Sequence, residues 1–126
     1  YTRQTELQKI SHRLLELAKS THVPIVLGAQ FNKEGANGID SMDLNQVREA
    51  NDIGNDAHVV LGVWNTHAAA KSKDVVKRSP SDPIQFTIKV LKNRNGASNM
   101  IVNLDFYPEN FTLLRTGKPY GFTKPV

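Results

Sequence analysis

The run LLELAKSTHVPIVLGAQFNK, residues 14–33, decides the fold because its periodicity changes from helical to strand-like at a single proline. Before it, residues 2–21 predict an amphipathic helix with Thr2 as N-cap. Its apolar positions recur at three- and four-residue steps: Leu7, Ile10, Leu14, Leu17 and Ala18. Pro24 ends the helix, because proline disfavours helical geometry at the residue before it. Residues 24–29 are apolar without alternation, which predicts a strand buried on both faces.

The rest of the chain extends this order of elements. We expect a short helix over residues 42–51 and a second apolar strand over 57–64. Helix and strand in alternation predict a right-handed βαβ unit and a parallel sheet. Residues 84–92 and 100–107 alternate apolar and polar positions on either side of Asn95-Gly96, which predicts an antiparallel hairpin. A last strand is expected over 111–115, so the predicted class is α/β, parallel strands followed by an antiparallel hairpin.

The 126 residues correspond to one domain. Loops are predicted over residues 31–40 and 65–83, and a tail over 118–126. The chain begins with Tyr1 and has no GxxxxGK[ST] loop, so we expect it to be part of a longer reading frame. A partial sheet exposes strand edges, which predicts self-association or domain swapping.

Composition excludes several classes of protein. There is no cysteine, so neither disulfides nor thiolate metal sites are available, and no apolar run is long enough for a membrane span. The four histidines lack metal-ligand spacing, and no hydrolase signature is present, so no metal site is predicted. The net charge of +4 is compatible with a polyanionic partner and equally with an ordinary basic surface.

Three places could carry chemistry. Gln30 follows an apolar strand, where it could contact a phosphate or an attacking water, or simply cap the strand. Lys92 and Arg94 are two positions apart near the predicted turn, so both should project outward from one side of the hairpin. There they could neutralise charge on a phosphoryl group or remain solvated. Around Arg48, Glu49 and Asn51, a helix end could hold a nucleic-acid phosphate or be a plain solvated terminus.

Three segments, taken in order, resemble the C-terminal half of the motor domain of DnaB-type replicative helicases, which have a RecA-like P-loop NTPase fold. They are the opening run at residues 14–33, LNQVREANDIGNDAHVVLGVW at 44–64, and LKNRNGASNMIVNLDF at 91–106. Together they span nearly the whole chain. This sequence departs from the family pattern at Lys33, Ala50-Asn51, His58 and Ser98-Asn99.

The resemblance implies a role for each candidate residue. Gln30 corresponds to the glutamine that senses the γ-phosphate. Lys92 and Arg94 correspond to fingers that reach the ATP site of the adjacent subunit. Arg48, Glu49 and Asn51 correspond to a loop that touches single-stranded DNA.

The resemblance also implies the setting in which these residues work. The intact protein would be a hexameric ATP-dependent DNA helicase that uses ATP and Mg²⁺, whereas this chain by itself should bind neither. Single-stranded DNA, primase and a helicase loader are the implied partners, in the cytoplasm at the nucleoid or in a phage system. Two alternatives stay open, namely a non-enzymatic adaptor that binds DNA or a helicase, and a RecA/RadA-like recombinase.

Overall fold

The computed structural model describes residues 2–31, 42–46, 51–65, 79 and 81–116. Within these ranges the chain has two α-helices, α1 (Arg3–Thr21) and α2 (Asn51–Asp56), and a 3-10 turn at Leu44–Gln46. Four strands follow: β1 (Val59–Asn65), β2 (Ile84–Asn93), β3 (Ile101–Tyr107) and β4 (Thr112–Arg115). None of the described helices is long and apolar enough to cross a membrane.

Helix α1 confirms the helix predicted from the three- and four-residue spacing of its apolar positions. The side chain of Thr2 accepts a hydrogen bond from the Thr5 backbone N–H at 3.3 Å, as an N-cap residue does. The helix ends at His22, whose backbone is left-handed with φ of 54°. Proline follows two residues later, so the break lies where the sequence placed it.

The four strands form one sheet in the order β1-β2-β3-β4, and each neighbouring pair is antiparallel. The predicted hairpin is confirmed as β2 and β3, and the predicted last strand is β4. The β2–β3 ladder continues at Val90 towards the turn. The Val90 N–H donates to the Met100 carbonyl at 2.9 Å, and the Val90 carbonyl accepts from the Asn99 N–H at 2.7 Å.

The parallel strands predicted ahead of the hairpin are not found among the described residues. Residues 24–29 carry no regular secondary structure, and Val26 is 98% exposed. An apolar run without alternation forms a strand only when neighbours cover both of its faces. Among the described residues nothing flanks this run in that way, so the strand predicted for it is wrong here.

The predicted second helix is observed in a different form over the residues that are described. The prediction covered residues 42–51, where Leu44–Gln46 form a 3-10 turn, and the described helix α2 spans Asn51–Asp56. Residues 47–50 lie outside the described residues, as do 32–41, 66–78, 80 and 117–126, which contain most of the predicted loops and the tail. The apolar strand predicted over 57–64 is present as β1, paired antiparallel with β2.

The two faces of the sheet differ in what packs against them. The inner face carries Gly62 of β1, and Met42 and Phe31 lie so close to it that a Cβ at Gly62 would stand 2.9 Å from Met42 Sδ. Met42 is buried here at 3% exposure, whereas Val90, 8% exposed, is buried on the opposite face, which it shares with its partner Leu61. The packing at Gly62 attaches the segments around Phe31 and Met42 to β1.

The opposite, outer face is apolar and partly exposed. Cross-strand partners share a face, which places one apolar row from each strand on this side. Phe86 and Phe106 meet edge-to-face at 5.5 Å between ring centroids, and Phe111 joins Phe106 at 6.3 Å. About half of the surface of several members is open: Val59, Leu61, Val63 and Leu113.

A β-bulge reorients the end of β2. Val60 pairs with Lys92, but the next residue, Leu61, pairs with Val90, so Leu91 is an extra residue in β2. The extra residue reverses the alternation beyond it. As a result Lys92 lies on the inner face with its partner Val60, on the side where α2 is found.

Candidate functional site

The site is built on the carboxyl end of α2. The last carbonyls of a helix have no N–H four residues ahead to accept from, so they need other donors. The Ile53 carbonyl still accepts from the Ala57 N–H at 3.1 Å. The next two carbonyls, those of Gly54 and Asn55, accept from the end of β2 instead. We call these two carbonyls the α2 seat.

Lys92 occupies the α2 seat. Its Nζ donates to the Asn55 carbonyl at 2.6 Å and to the Gly54 carbonyl at 3.1 Å. A cation at a helix carboxyl end is favoured both by these hydrogen bonds and by the helix dipole. Lys92 therefore caps α2 from another element of the fold.

Arg94 reaches the same place. Its Nη2 donates to the Asn55 carbonyl at 3.3 Å, and its backbone N–H donates to the His58 carbonyl at 3.0 Å. The two cations lie on one side of the hairpin end, as predicted from their spacing. The predicted outward projection is wrong for this chain, because both side chains fold back onto carbonyl groups of α2.

The positive charges of Lys92 and Arg94 repel each other because the two groups lie close together. Burial against α2 and the neighbouring Arg94 cation both lower the pKa of Lys92 from its ordinary value of 10.5. The negative charge of Asp56 acts in the opposite direction and raises it. The ammonium group is thus held between one like charge and one opposite charge at the end of the hairpin.

Asp56 is itself tied to α1. Its Oδ2 accepts a hydrogen bond from Ser11 Oγ at 2.8 Å, and Ser11 is 6% exposed. Helices α1 and α2 pack against each other at this point. Ser11, Asp56, Lys92 and Arg94 therefore connect α1, α2 and the hairpin through polar contacts.

Gln30 lies apart from this cluster. It is exposed and precedes Phe31, whose ring packs near Gly62 on the inner face. No hydrogen bond joins Gln30 to Lys92 or Arg94 among the described residues. The structure therefore brings together two of the three residues predicted to act at a phosphate.

The predicted DNA-binding residues are described only at their last position. Arg48 and Glu49 lie outside the described residues, and Asn51 is known by its backbone, which begins α2. This predicted segment therefore runs directly into the helix whose far end seats Lys92 and Arg94.

Ser11 and Asp56 were not among the residues predicted from the sequence. Ser11 places a small hydroxyl on the apolar side of α1, between Leu7 and Leu14, and Asp56 stands among other polar residues before β1. Neither has a motif of its own, and they are 45 positions apart. Small size on a helix face was the available signal for Ser11, because a small residue permits close packing of a second helix.

The cluster has donor capacity suited to an anionic oxygen. An ammonium group has three N–H donors and a guanidinium five. The contacts above engage two from Lys92 and one from the side chain of Arg94. Arg94 is exposed, so a phosphoryl oxygen could approach it. In contrast, no group of three His, Asp or Glu side chains suited to a metal ion occurs among the described residues.

Comparison with known proteins agrees with the family that the sequence resembles. The family model for the DnaB-like helicase C terminal domain matches residues 1–113. This range includes α1, α2, β1, β2 and β3, and it ends within β4. No curated protein matches the chain. Since the matched region covers most of the 126 residues, this chain belongs to the DnaB-like helicase C-terminal domain family.

Proposed function

We propose that this chain is part of an ATP-dependent hexameric replicative DNA helicase, in which Lys92 and Arg94 complete the ATP site of a neighbouring subunit. Membership of the family supports a replicative helicase. The observation that carries the finer proposal is the convergence of both cations at one end of the hairpin. Two adjacent cations can neutralise the charge that develops on a phosphoryl group during its transfer.

The intact enzyme would use ATP and Mg²⁺, which supply the phosphoryl group and the divalent charge that neutralises it. Lys92 and Arg94 have the chemistry to bind phosphoryl oxygens, and Arg94 can do so bidentately. The chain has no GxxxxGK[ST] loop. We therefore propose that it contributes fingers to a nucleotide site whose phosphate loop lies elsewhere in the assembly.

Gln30 and the segment before α2 take the remaining roles in this proposal. Gln30 would sense the γ-phosphate of its own subunit, since an exposed amide can both donate to and accept from a phosphate–water arrangement. Arg48, Glu49 and Asn51 would contact the backbone of single-stranded DNA. Primase and a helicase loader would be the protein partners of the intact ring.

The decisive experiment replaces Arg94 in the full-length helicase. Arg94→Ala should lower ATP hydrolysis by about 10³-fold or more, as the loss of an arginine finger does. Arg94→Lys serves as the matched variant, because it keeps the charge and loses the planar fork. Rings of normal size by sedimentation would show that the loss is chemical, and near-normal hydrolysis in intact Arg94→Ala rings would reject the assignment.

Mixed rings test whether the finger acts across the interface. Subunits that carry both Arg94→Ala and a defective phosphate loop are mixed with wild-type subunits at increasing ratios. If Arg94 acts in trans, each double variant disables its own site and a neighbour's site, so activity falls more steeply than for the phosphate-loop variant alone. Identical dilution curves would show that Arg94 acts within its own subunit.

A further inference from the structure

We propose that Asp56 is a positioning residue for the Lys92–Arg94 pair and that Ser11 of α1 holds Asp56 in place. The inference rests on the proposed function for what the pair does in the ring, but its contacts belong to this chain. Ser11 Oγ donates to Asp56 Oδ2 at 2.8 Å, and the serine is 6% exposed. A buried hydroxyl of this kind gives the carboxylate a defined place at the α1–α2 contact.

The position of Asp56 determines the position of the seat. Asp56 is the last residue of α2, and Asn55 beside it offers the carbonyl that accepts from both Lys92 and Arg94. The two residues share a peptide unit, so a displacement of Asp56 moves the carbonyl that both cations use. The hydrogen bond from Ser11 therefore acts on the cations through one rigid peptide group.

The charge of Asp56 also balances the pair. Two cations that share one carbonyl acceptor repel each other, and burial of Lys92 adds to the cost. Arg94 and Asp56 are the charged groups that act on Lys92, with opposite signs. By opposing Arg94, Asp56 favours the protonated form of Lys92 beside the arginine.

This arrangement links α1 to the fingers. Ser11 lies on α1, Asp56 on α2, and Lys92 and Arg94 at the end of the hairpin. A shift of α1 against α2 would alter the hydrogen bond between Ser11 and Asp56. It would thereby move the Asn55 carbonyl to which Lys92 and Arg94 donate. Asp56 touches no reacting atom in this scheme, so it positions and does not catalyse.

The first test uses the chain itself and two substitutions that separate charge from hydrogen bonding. Asp56→Asn keeps an oxygen that can accept from Ser11 but removes the charge, whereas Ser11→Ala keeps the charge and removes the donor. NMR titration of the Lys92 ammonium measures the result. We expect the pKa of Lys92 to fall below its wild-type value in Asp56→Asn, because the opposing charge is lost. In Ser11→Ala it should fall by a smaller amount, because the carboxylate keeps its charge but loses its hydrogen bond.

Asp105→Asn is the matched control. Asp105 lies on β3 and also accepts a hydrogen bond from a hydroxyl, that of Thr116, at 3.1 Å. It is an aspartate in a similar contact but away from the cation pair, so its substitution should leave the pKa of Lys92 unchanged. An equal change in Asp56→Asn and Asp105→Asn, or no change in either, would overturn the proposal.

The second test measures hydrolysis in the full-length ring. Asp56→Asn should lower kcat about three- to tenfold, the effect of losing one partly screened charge contact, with a KM for ATP within about twofold of wild type. Asp56→Glu, which restores the charge with a longer reach, should recover part of kcat. If Asp56→Asn does not fold, Ser11→Ala decides, and unchanged kcat in Ser11→Ala then rejects the positioning role.

The two proposals fail in different ways. If Arg94→Ala rings hydrolyse ATP normally, the finger assignment fails while the titration of Lys92 still reports on Asp56. If Arg94→Ala abolishes hydrolysis but Asp56→Asn and Ser11→Ala leave both kcat and the pKa of Lys92 unchanged, the fingers stand and the positioning role of Asp56 is wrong.

Discussion

The residue at the end of α1 has a backbone conformation that carries an energetic cost. His22 has φ of 54°, a region in which a residue with a Cβ is crowded by its own backbone. Glycine commonly occupies this position at helix ends, because it has no Cβ. Glycine would therefore adopt this left-handed conformation at the end of α1 more readily than histidine does.

Replacement of His22 by glycine should stabilise the chain. We expect His22→Gly to raise the free energy of unfolding by about 0.5–1 kcal/mol, since relief of the left-handed strain exceeds the added entropy of the unfolded chain. Urea unfolding followed by circular dichroism measures the change. His22→Ala is the control because it keeps a Cβ, and a gain as large in the alanine variant would contradict the explanation.

Gly62 tests the close packing of the inner face. A Cβ there would meet Met42 Sδ at 2.9 Å and carbons of Leu91 and Phe31 at 3.4 Å. Gly62→Val should therefore lower the free energy of unfolding by about 1–3 kcal/mol through overpacking. Gly28→Val is the control, because a Cβ at Gly28 meets nothing within 4 Å. A loss of equal size at both glycines would show that packing at Met42 is not the cause.

At the scale of elements, the proposed function rests on the contact between β2 and α2. The bulge at Leu91 turns Lys92 to the inner face, and α2 presents its unpaired carbonyls there. Strand and helix thereby satisfy each other: the helix gains a C-terminal cap, and the cation gains acceptors. A hairpin without the bulge would direct Lys92 to the outer face.

The lowered pKa of Lys92 predicts how stability changes with pH. As pH rises, the folded chain loses this proton before the unfolded chain, whose lysine titrates near 10.5. Between the two pKa values the unfolded chain binds more protons, so the free energy of unfolding increases with pH in that window. Below the window the penalty for the buried charge is constant.

Substitution of Lys92 should remove this dependence. The difference in free energy of unfolding between wild type and Lys92→Met should shift in favour of wild type as pH rises towards 10.5. Denaturant titrations at several pH values measure it. Lys19→Met, at the exposed end of α1, provides the comparison. A difference between wild type and Lys92→Met that stays constant with pH would contradict the lowered pKa of Lys92.

At the scale of the whole molecule, the outer face of the sheet is an exposed apolar surface formed by described residues of all four strands. Leu61 is 52% exposed and Leu113 is 56% exposed, and both belong to a continuous apolar face with the Phe86–Phe106 pair. Burial of such a face releases free energy in proportion to the apolar area removed from water. The chain by itself is therefore expected to associate.

Self-association should depend on the outer face. We expect sedimentation of the 126-residue chain to show oligomers that increase with concentration, and Leu61→Lys to weaken them by placing a charge in the contact. Asn103→Lys adds the same charge to the opposite face of the sheet, so it should leave association unchanged. A strictly monomeric chain at high concentration would be incompatible with this expectation.

Under the proposed function, the chain depends on a phosphate loop that it does not contain. Without a GxxxxGK[ST] loop, these 126 residues should not hydrolyse ATP, because Lys92 and Arg94 alone provide neither the phosphate cradle nor the metal ligands. Calorimetry with ATP and Mg²⁺ should detect weak binding at most. Micromolar affinity for nucleotide in this chain would show that it contains a nucleotide site of its own.

The sequence by itself determined those features that depend on near neighbours along the chain. The leucine spacing and Thr2 specify α1, and alternation on either side of Asn95-Gly96 specifies β2 and β3, because helix and strand periods are local properties. The resemblance to the helicase family also came from sequence, through three ordered segments, and the family match over residues 1–113 confirms it. Lys92 and Arg94 shared one side because their spacing is two residues.

Tertiary structure alone decided where those two cations point and what holds them. Their acceptors on Gly54 and Asn55 are 37 to 39 positions away, and Ser11 is 45 positions from Asp56. No local pattern predicts such contacts, since they depend on a bulge in one strand and on free carbonyls at the end of a short helix. For the same reason residues 24–29 were mistaken for a strand: whether an apolar run becomes a strand depends on the neighbours that cover it.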